Sequence, residues 1–499
     1  MLKKTLLLIL FSLTVQSQNL SEILNLTTDI PNGTARFESM GGAFGALGGD
    51  LSAINTNPAG SAVFIDNQYG FTLSSEKKEN KTIFFNSSVD ENDNKFSFNQ
   101  GGAVWILKNS GGGNINKISF GFNAQTNNSY KNNFEISGRN TKNSIDTFFL
   151  NNSLGLNVSD LSVGSNESIS GVYRYLGENY GYSAQQAFLA YQSYLINYDE
   201  ISKSFFSLAN YENGVDQRYI SETKGVNTKY NINIGIQFKE NFYFGMNINT
   251  HDLYIQNWTG HNETNFSENS AISEINFENQ ITTQGEGLSL QFGGIAKLKS
   301  FRFGISYQSP TWYTLRDETW QSIDVKSIDL DGITYQDIVN PNVLNIYPDY
   351  KINTPSSLTT SAAVVIGKFG ILSMDLVSKD YSKSKLRPKR DFTSINSEIS
   401  SKLTNTIDLR IGGEIRLEKL SLRAGYTKLE SPYKNSLTMT DSNSTSFGFG
   451  YDFDGILLSF SHKILKSNKN HSLFDSGLTD SADVMTKHSL SNISLIFKF

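Results

Sequence analysis

The chain has 499 residues, 18% of them charged, a formal net charge of −5 and no cysteine. These figures exclude disulfides, thiol nucleophiles and thiolate metal sites, and they argue against nucleic acid as a partner, which needs concentrated Lys and Arg. Uncharged polar and aromatic residues take up the difference, with 52 Asn, 34 Phe and 23 Tyr, and beyond the N-terminal stretch no apolar run reaches the ~18 residues of a membrane-spanning helix.

Residues 1–17 read as a signal peptide. Lys3 and Lys4 precede an apolar run from Thr5 to Val15, and Val15-Gln16-Ser17 offers compact residues where a signal peptidase cuts. Cleavage is expected after Ser17. The next unit, 18–66, contains the Gly-rich, apolar stretch Gly33 to Phe64, which lacks strand alternation. Gly41 and Gly42, with Gly45, Gly48 and Gly49, allow close backbone approach and positive φ, so the stretch can fold compactly inside a pore, and Asn57-Pro58 is a turn-starting pair. The glycines form neither GxGxxG nor a GK[ST] loop.

The unit 67–499 is dominated by period-two alternation, clearest where Tyr230, Ile232, Ile234 and Ile236 interleave with Asn231, Asn233 and Gly235. Strands placed on this pattern number 14, and their connections alternate between short turns (239–240, 299–300, 368–369, 418, 453–455) and long loops. A β-sandwich has no reason to sort its loops by rim, whereas an outer-membrane barrel does. The expected fold class is therefore all-β: a 14-stranded antiparallel transmembrane β-barrel with both chain ends on the short-turn side. Residues 81–89 are assigned to the first external loop. In the long loop 138–223, Ser183-Ala184-Gln185-Gln186 has a capping-box pattern followed by Phe188, Tyr191 and Leu195 at helical spacing. A second short helix is expected over 201–210 with Phe205 and Phe206. These five residues are candidates for hydrophobic capture, with packing against neighbouring loops as the commoner fate.

The run MGGAFGALGGD followed by SAINTNPAGSAVF, with Asn57-Pro58-Ala59 inside it, and the later LRAGYTKLESPY (Leu422 to Tyr433) resemble the FadL-type long-chain fatty-acid transporters of Gram-negative outer membranes. The resemblance implies an N-terminal hatch plugging the lumen, with Gly41, Gly42, Asn57, Pro58 and Ala59 as hatch or gate residues. It also implies passive movement of hydrophobic molecules, foremost long-chain fatty acids, and an exit sideways through the wall. Gly101-Gly102 interrupt the alternating strand Phe96 to Leu107 and are the candidate lateral exit, since adjacent glycines in a strand often mark a bulge or a close approach. The expected partners are the hydrophobic ligand, outer-membrane lipid and the barrel-insertion machinery reading a strand that ends in Phe499. The expected form is a monomer in the cell outer membrane. No cofactor, metal site or catalysis is expected, because His251, His261, His462, His471 and His488 are scattered without ligand spacing and no GxSxG occurs. Arg410, Glu414, Arg416 and Arg423 fall on the inward face, which favours a rival reading, a plugged porin-like channel for small polar solutes. An outer-membrane lipase is the third.

Overall fold

The computed structural model describes residues 20–109 and 111–499; the signal peptide expected at 1–17 lies outside them. A single antiparallel sheet closes on itself. Its wall consists of β1 (Gln68–Phe84), β2 (Ser87–Lys108), β3 (Ile115–Ser129, continued by Asn132–Asn140), β4 (Val215–Phe238), β5 (Phe242–Thr264), β6 (Ile272–Leu298) and β7 (Phe301–Gln308, continued by Trp312–Ile328). It continues through β8 (Thr334–Val339, Asn345–Ile346, Tyr350–Asn353 and Ser357–Ile366), β9 (Gly370–Asp380 and Lys385–Arg387), β10 (Asn405–Leu417), β11 (Leu420–Leu429), β12 (Ser442–Asp452), β13 (Ile456–Ser472) and β14 (Ser481–Lys498). Consecutive strands pair, and β1 pairs with β14 from Gln68↔Lys498 to Ile83↔Asp483. The expected count of 14 is the observed one. No helix among the described residues is long and apolar enough to cross a membrane.

The short turns lie where the loop pattern puts them, and Lys239, Lys299, Glu418 and Asp454 take positive φ there, as tight hairpin turns require. Alternation decides the two faces. Phe120, Phe122, Ile232, Ile234, Phe244 and Phe292 are exposed outward, while Asn123, Asn231, Asn233, Asn247 and Gln291 are buried inward. A belt of exposed aromatic and aliphatic side chains around a polar interior is favourable only against hydrocarbon.

Three expectations are corrected. Residues 77–94 are not a loop: β1 and β2 run on as a hairpin to a turn at Phe85 and Asn86, so 81–84 and 87–89 belong to wall strands. The strands outlast the apolar alternation because in this stretch most residues on both faces are polar. The helix expected over 201–210 is instead a small hairpin pairing Ile196–Asp199 with Ser204–Ser207. Finally, the helix over 182–192 begins at Gly181, with no side-chain cap, so Ser183 lies inside the helix and its capping-box pattern is unused.

The lumen is filled in layers. Near the short-turn rim lie α2 (Ala35–Ser39), α3 (Ala53–Thr56) and the 3-10 turn Pro58–Val63. Above them sits α1 (Leu20–Thr27), packed with α8 (Thr393–Lys402) and inward residues of β5, β7, β8 and β9. The external mouth is covered by 141–214, which carries α4 (Asp146–Asn152), α5 (Val158–Leu161), α6 (Ile169–Asn179) and α7 (Tyr182–Gln192). Their apolar faces join Phe84, Phe134, Ile275, Phe277, Ile323 and Val484 of the wall in one core.

Phe244 is 53% exposed on the outward face. Two residues from the short-turn end of β5, Phe244→Arg is expected to lower stability by about 1 kcal/mol or less, whereas Ile248→Arg, four residues deeper on the same outward face, is expected to lower it by about 2–4 kcal/mol. Reversible urea unfolding from lipid vesicles checks both.

Candidate functional site

The segment between Pro31 and Phe64 touches the wall by backbone approach. A Cβ built on inward Gly412 would collide with the Met40 carbonyl oxygen, one on Gly425 with the Gly41 nitrogen, one on Gly304 with the Gly45 carbonyl, and one on Gly245 with Pro58. The strands thus carry a floor of glycines where the segment rests. Gly41 and Gly42 both have positive φ, at 62° and 75°, and form the turn after α2. This floor escaped sequence reading. A glycine at an inward strand position signals close approach, but nothing in the strand itself says what approaches.

The Asn57-Pro58-Ala59 motif links segment and wall. The Asn57 side chain accepts from Ala59 N (3.1 Å) to cap the 3-10 turn, and its amide donates to the Gly45 carbonyl (2.7 Å) and the Gly294 carbonyl of β6 (3.1 Å). Pro58 O accepts from Asn233 Nδ2 of β4 (3.0 Å), and Ala59 packs against Tyr243 and Ile295.

Charged inward residues hold the same segment. Glu414 of β10 takes Arg36 (2.8 Å), Arg423 (2.7 Å) and Arg416 (2.6 Å), and Lys463 of β13 pairs with Glu38 (2.6 Å). Gly45 N donates to Asp375 Oδ2 (2.9 Å), and Arg302 donates to Leu47 O (2.7 Å). Glu414, Arg416 and Arg423, which as a sequence suggested a wet pore, are thus engaged in one ion cluster. Arg410 lines the cavity above it instead.

That cavity is ≈ 100 Å³ and lies between the N-terminal segment and the wall, lined among others by Asn32, Gln125, Asn127, Lys229, His251 and Lys379. One side of it reaches a break in the wall ladder. β2 and β3 pair only from Gln100↔Gln125 to Lys108↔Lys117 among the described residues. Beyond Gln100, toward the long-loop rim, carbonyls of β3 are met by side chains of β1, and a carbonyl of β2 by Lys131. Lys78 Nζ donates to Lys131 O (2.6 Å), Asn80 Nδ2 to Asn133 O (2.7 Å), Thr82 Oγ1 to Glu135 O (2.6 Å) and Lys131 Nζ to Asn94 O (2.8 Å). At the head of this seam Asn99 is bulged out of the β1 pairing, and its amide meets Asn32 Oδ1 (2.7 Å) and Gly33 O (3.1 Å). Gly101 and Gly102 are laddered on both sides, opposite Phe71 and Gly70 of β1 and Ala124 and Asn123 of β3. The discontinuity therefore begins just outward of the glycine pair, at Asn99.

The five candidate capture residues are together in the external cover but differ in exposure. Phe188 and Leu195 are fully buried in its core, Tyr191 and Phe205 are packed partly against it, and Phe206 is 38% exposed. Missed altogether was a polar cluster under the cover. Glu263 of β5 accepts from Ile145 N (2.9 Å) and Gln217 Nε2 (2.7 Å) and lies 3.0 Å from His261 Nε2. Burial pushes the neighbouring Asp146 carboxyl up to about 6, and the Glu263 charge adds to the rise. Among the described residues no group of His, Asp and Glu is placed to hold a metal ion.

This architecture has a counterpart among solved structures. A crystal structure of a Pseudomonas aeruginosa FadL homologue superposes with a TM-score of 0.54 at 10% identity, covering 95% of this chain and 100% of that one. The P. putida toluene transporter TodX aligns over 94% of this chain and 99% of its own at 13% identity, with a TM-score of 0.49. No family model and no curated protein matches the sequence. The fold is the FadL-type 14-stranded barrel; identity this low speaks to the fold and not to the cargo.

Two outcomes are expected. Gly412→Val should force Met40 off the wall and make the segment 31–64 accessible to protease while the barrel stays folded, as limited proteolysis with intact-barrel gel migration would read. The raised Asp146 value means that the folded cover binds this proton more tightly than the unfolded chain, whose ordinary value is 3.8. Its contribution is full below about pH 4 and is lost as pH rises through about 6. Protection factors of amides in 141–214, with the intrinsic pH dependence of exchange divided out, should accordingly be larger at pH 5 than at pH 8, and Asp146→Asn should remove that difference.

Proposed function

We propose that the chain is an outer-membrane channel through which hydrophobic molecules, long-chain fatty acids foremost, pass without energy input. The observation that carries this reading is the juxtaposition of the inner cavity with the β2–β3 seam. Asn32 and Gln125 line the cavity, and Gln125 pairs with Gln100 at the last rung before the ladder stops. A molecule in the lumen is thus separated from lipid by side chains rather than by a hydrogen-bonded strand pair, and side chains can rotate away without leaving backbone groups unsatisfied in hydrocarbon.

In this reading 18–66 is the hatch, held by Gly41, Gly42 and Asn57-Pro58-Ala59. Phe188, Tyr191, Leu195, Phe205 and Phe206 belong to an external cover that admits cargo by shifting as a unit, and 67–499 is the barrel, acting as a monomer in the outer membrane of a Gram-negative cell. The protein is not an enzyme. Gly101 and Gly102 keep the rungs beside the seam free of side chains; a Cβ on Gly102 would press on the Phe122 carbonyl. The cations of the cavity favour the second reading, a channel for small polar solutes. As for lipid hydrolysis, His462 Nδ1 lies 2.8 Å from Ser491 Oγ on the outward face. No carboxylate pairs with that histidine among the described residues to orient it as a base.

Uptake of oleate by cells relying on this protein should exceed uptake of sugars of similar mass, and Gly101→Val with Gly102→Val should reduce oleate uptake while barrel assembly and external binding of oleate persist. Sugar uptake without oleate uptake would sink the hydrophobic-cargo reading, and unchanged oleate uptake in the folded double variant would remove the seam as the exit.

A further inference from the structure

The lower plug and α1 are held inside the barrel in different ways. Residues 31–64 rest on wall glycines and make many hydrogen bonds to the strands, whereas α1 is held chiefly by apolar contact. Its Leu20, Ile23, Leu24 and Leu26 are buried in a chamber formed by inward Leu253, Tyr313, Leu315, Tyr350 and Ile352 together with Ile395 and Ile399 of α8. This apolar chamber stands out in a lumen that is polar below it, where Asn, Gln, Arg and Glu line the wall.

Just past the helix end, Asp29 places its carboxylate 2.9 Å from Lys379 Nζ and accepts from Asn127 Nδ2 at 2.8 Å. Its side chain is 41% accessible although it lies inside the barrel, because it faces the ≈ 100 Å³ cavity. Two further cations line that cavity, Lys229 and Arg410. Lys229 is 4% exposed, its nearest polar partner is Gln308 Oε1 at 3.5 Å, and no carboxylate lies within ion-pair distance of it among the described residues. A buried ammonium without a carboxylate is costly. Arg410 and Lys379 are also faced by Asp408, and Arg410 by Asp375, which leaves Lys229 as the cavity cation with no carboxylate at ion-pair distance among the described residues.

An apolar stem followed by a carboxylate, seated in an apolar chamber that opens onto lysines, has the chemical form of an amphiphilic acid. We propose that α1 with Asp29 is a built-in occupant of the cargo site, and that a cargo molecule bearing a carboxylate binds by displacing it, its chain taking the place of the α1 leucines and its head group that of Asp29 on Lys379, with Lys229 beside it. The inference rests on the hydrophobic-transport reading and adds a regulation to it: the site is closed when no cargo competes. With cleavage after Ser17, α1 lies close to the free chain end and can withdraw while 31–64 stays seated. The cost of displacing the occupant lowers apparent affinity by the fraction of molecules in which the site is vacant.

The chain has no cysteine, so Ile23→Cys gives a single reporter thiol in the full-length protein in detergent. Oleate should speed maleimide labelling at this position by about tenfold or more, and oleyl alcohol, lacking the carboxylate, should do so less. Asp29→Asn should tighten the binding of oleate and of oleyl alcohol alike, by about tenfold, and Leu24→Asn should do the same, since each weakens the occupant and so raises the fraction of molecules in which the site is vacant. Bound oleate that leaves labelling at position 23 unaltered, or Asp29→Asn and Leu24→Asn proteins that bind oleate no tighter, would overturn the built-in occupant and leave hydrophobic transport standing. Failure of the unaltered protein and both variants to bind either probe would overturn transport and occupant together.

Discussion

Hydrocarbon offers no partner for a backbone N–H or C=O, so a strand can lie in a membrane only if both its edges are paired. Everything else in this molecule follows from meeting that demand with 14 strands. The β1–β14 ladder closes the ring, and a ring of this size encloses more space than the inward side chains can fill. The space is taken up by the chain itself, residues 20–66 from one end and 141–214 over the other. The inward face is consequently polar for a reason unrelated to water flow: its amides, hydroxyls and charges are the partners of a folded segment whose own backbone needs satisfying.

The seating of that segment depends on buried charge. Glu414 pairs with Arg36, Arg416 and Arg423, with buried Asp50 also close to Arg36 and Arg423, and Glu38 is matched by Lys463. Such pairs add little net stability after desolvation, but a segment slid by one residue would leave a buried charge unpaired, which costs several kcal/mol. They act as registration marks. The glycine floor does the complementary steric work, admitting the Met40, Gly45 and Pro58 backbone only where a Cβ is missing. Together they place Asn57 where its one side chain can cap its own turn and hold two carbonyls.

The closure rule is relaxed in one stretch, between β2 and β3 outward of Gln100. Lys78, Asn80 and Thr82 there reach past the missing rungs to carbonyls on β3. Side-chain donors satisfy there the groups that a ladder satisfies elsewhere. The neighbours of this stretch are the cavity and the N-terminal segment, through Asn32 and Asn99.

How far residues spoke for themselves depended on whether the relevant interaction was local. Period-two alternation and turn residues are properties of a few consecutive positions, so the 14 strands, their inward and outward faces and the short-turn rim were legible from Tyr230–Phe238 and its counterparts. The compact Gly-rich segment and the Asn57-Pro58 turn were legible for the same reason. Where alternation lost its apolar half, the strands ran on unread, and 81–89 passed for a loop. The cover showed the limit most plainly: Phe188 and Leu195 look alike as capture residues or as core, and only the packing of α7 and the chain after it against α4, α6, β7 and β8 made them core. Partnerships across the fold, Asp29 with Lys379, Arg36 with Glu414, Asp146 beside Glu263 and the end of the β2–β3 ladder at Gln100, join residues tens to hundreds of positions apart. The sequence by itself determined that a barrel forms and which way its strands face, because those follow from local period and solvent; what fills it, what locks the filling and where the β2–β3 ladder ends were decided only when closure brought distant positions into contact.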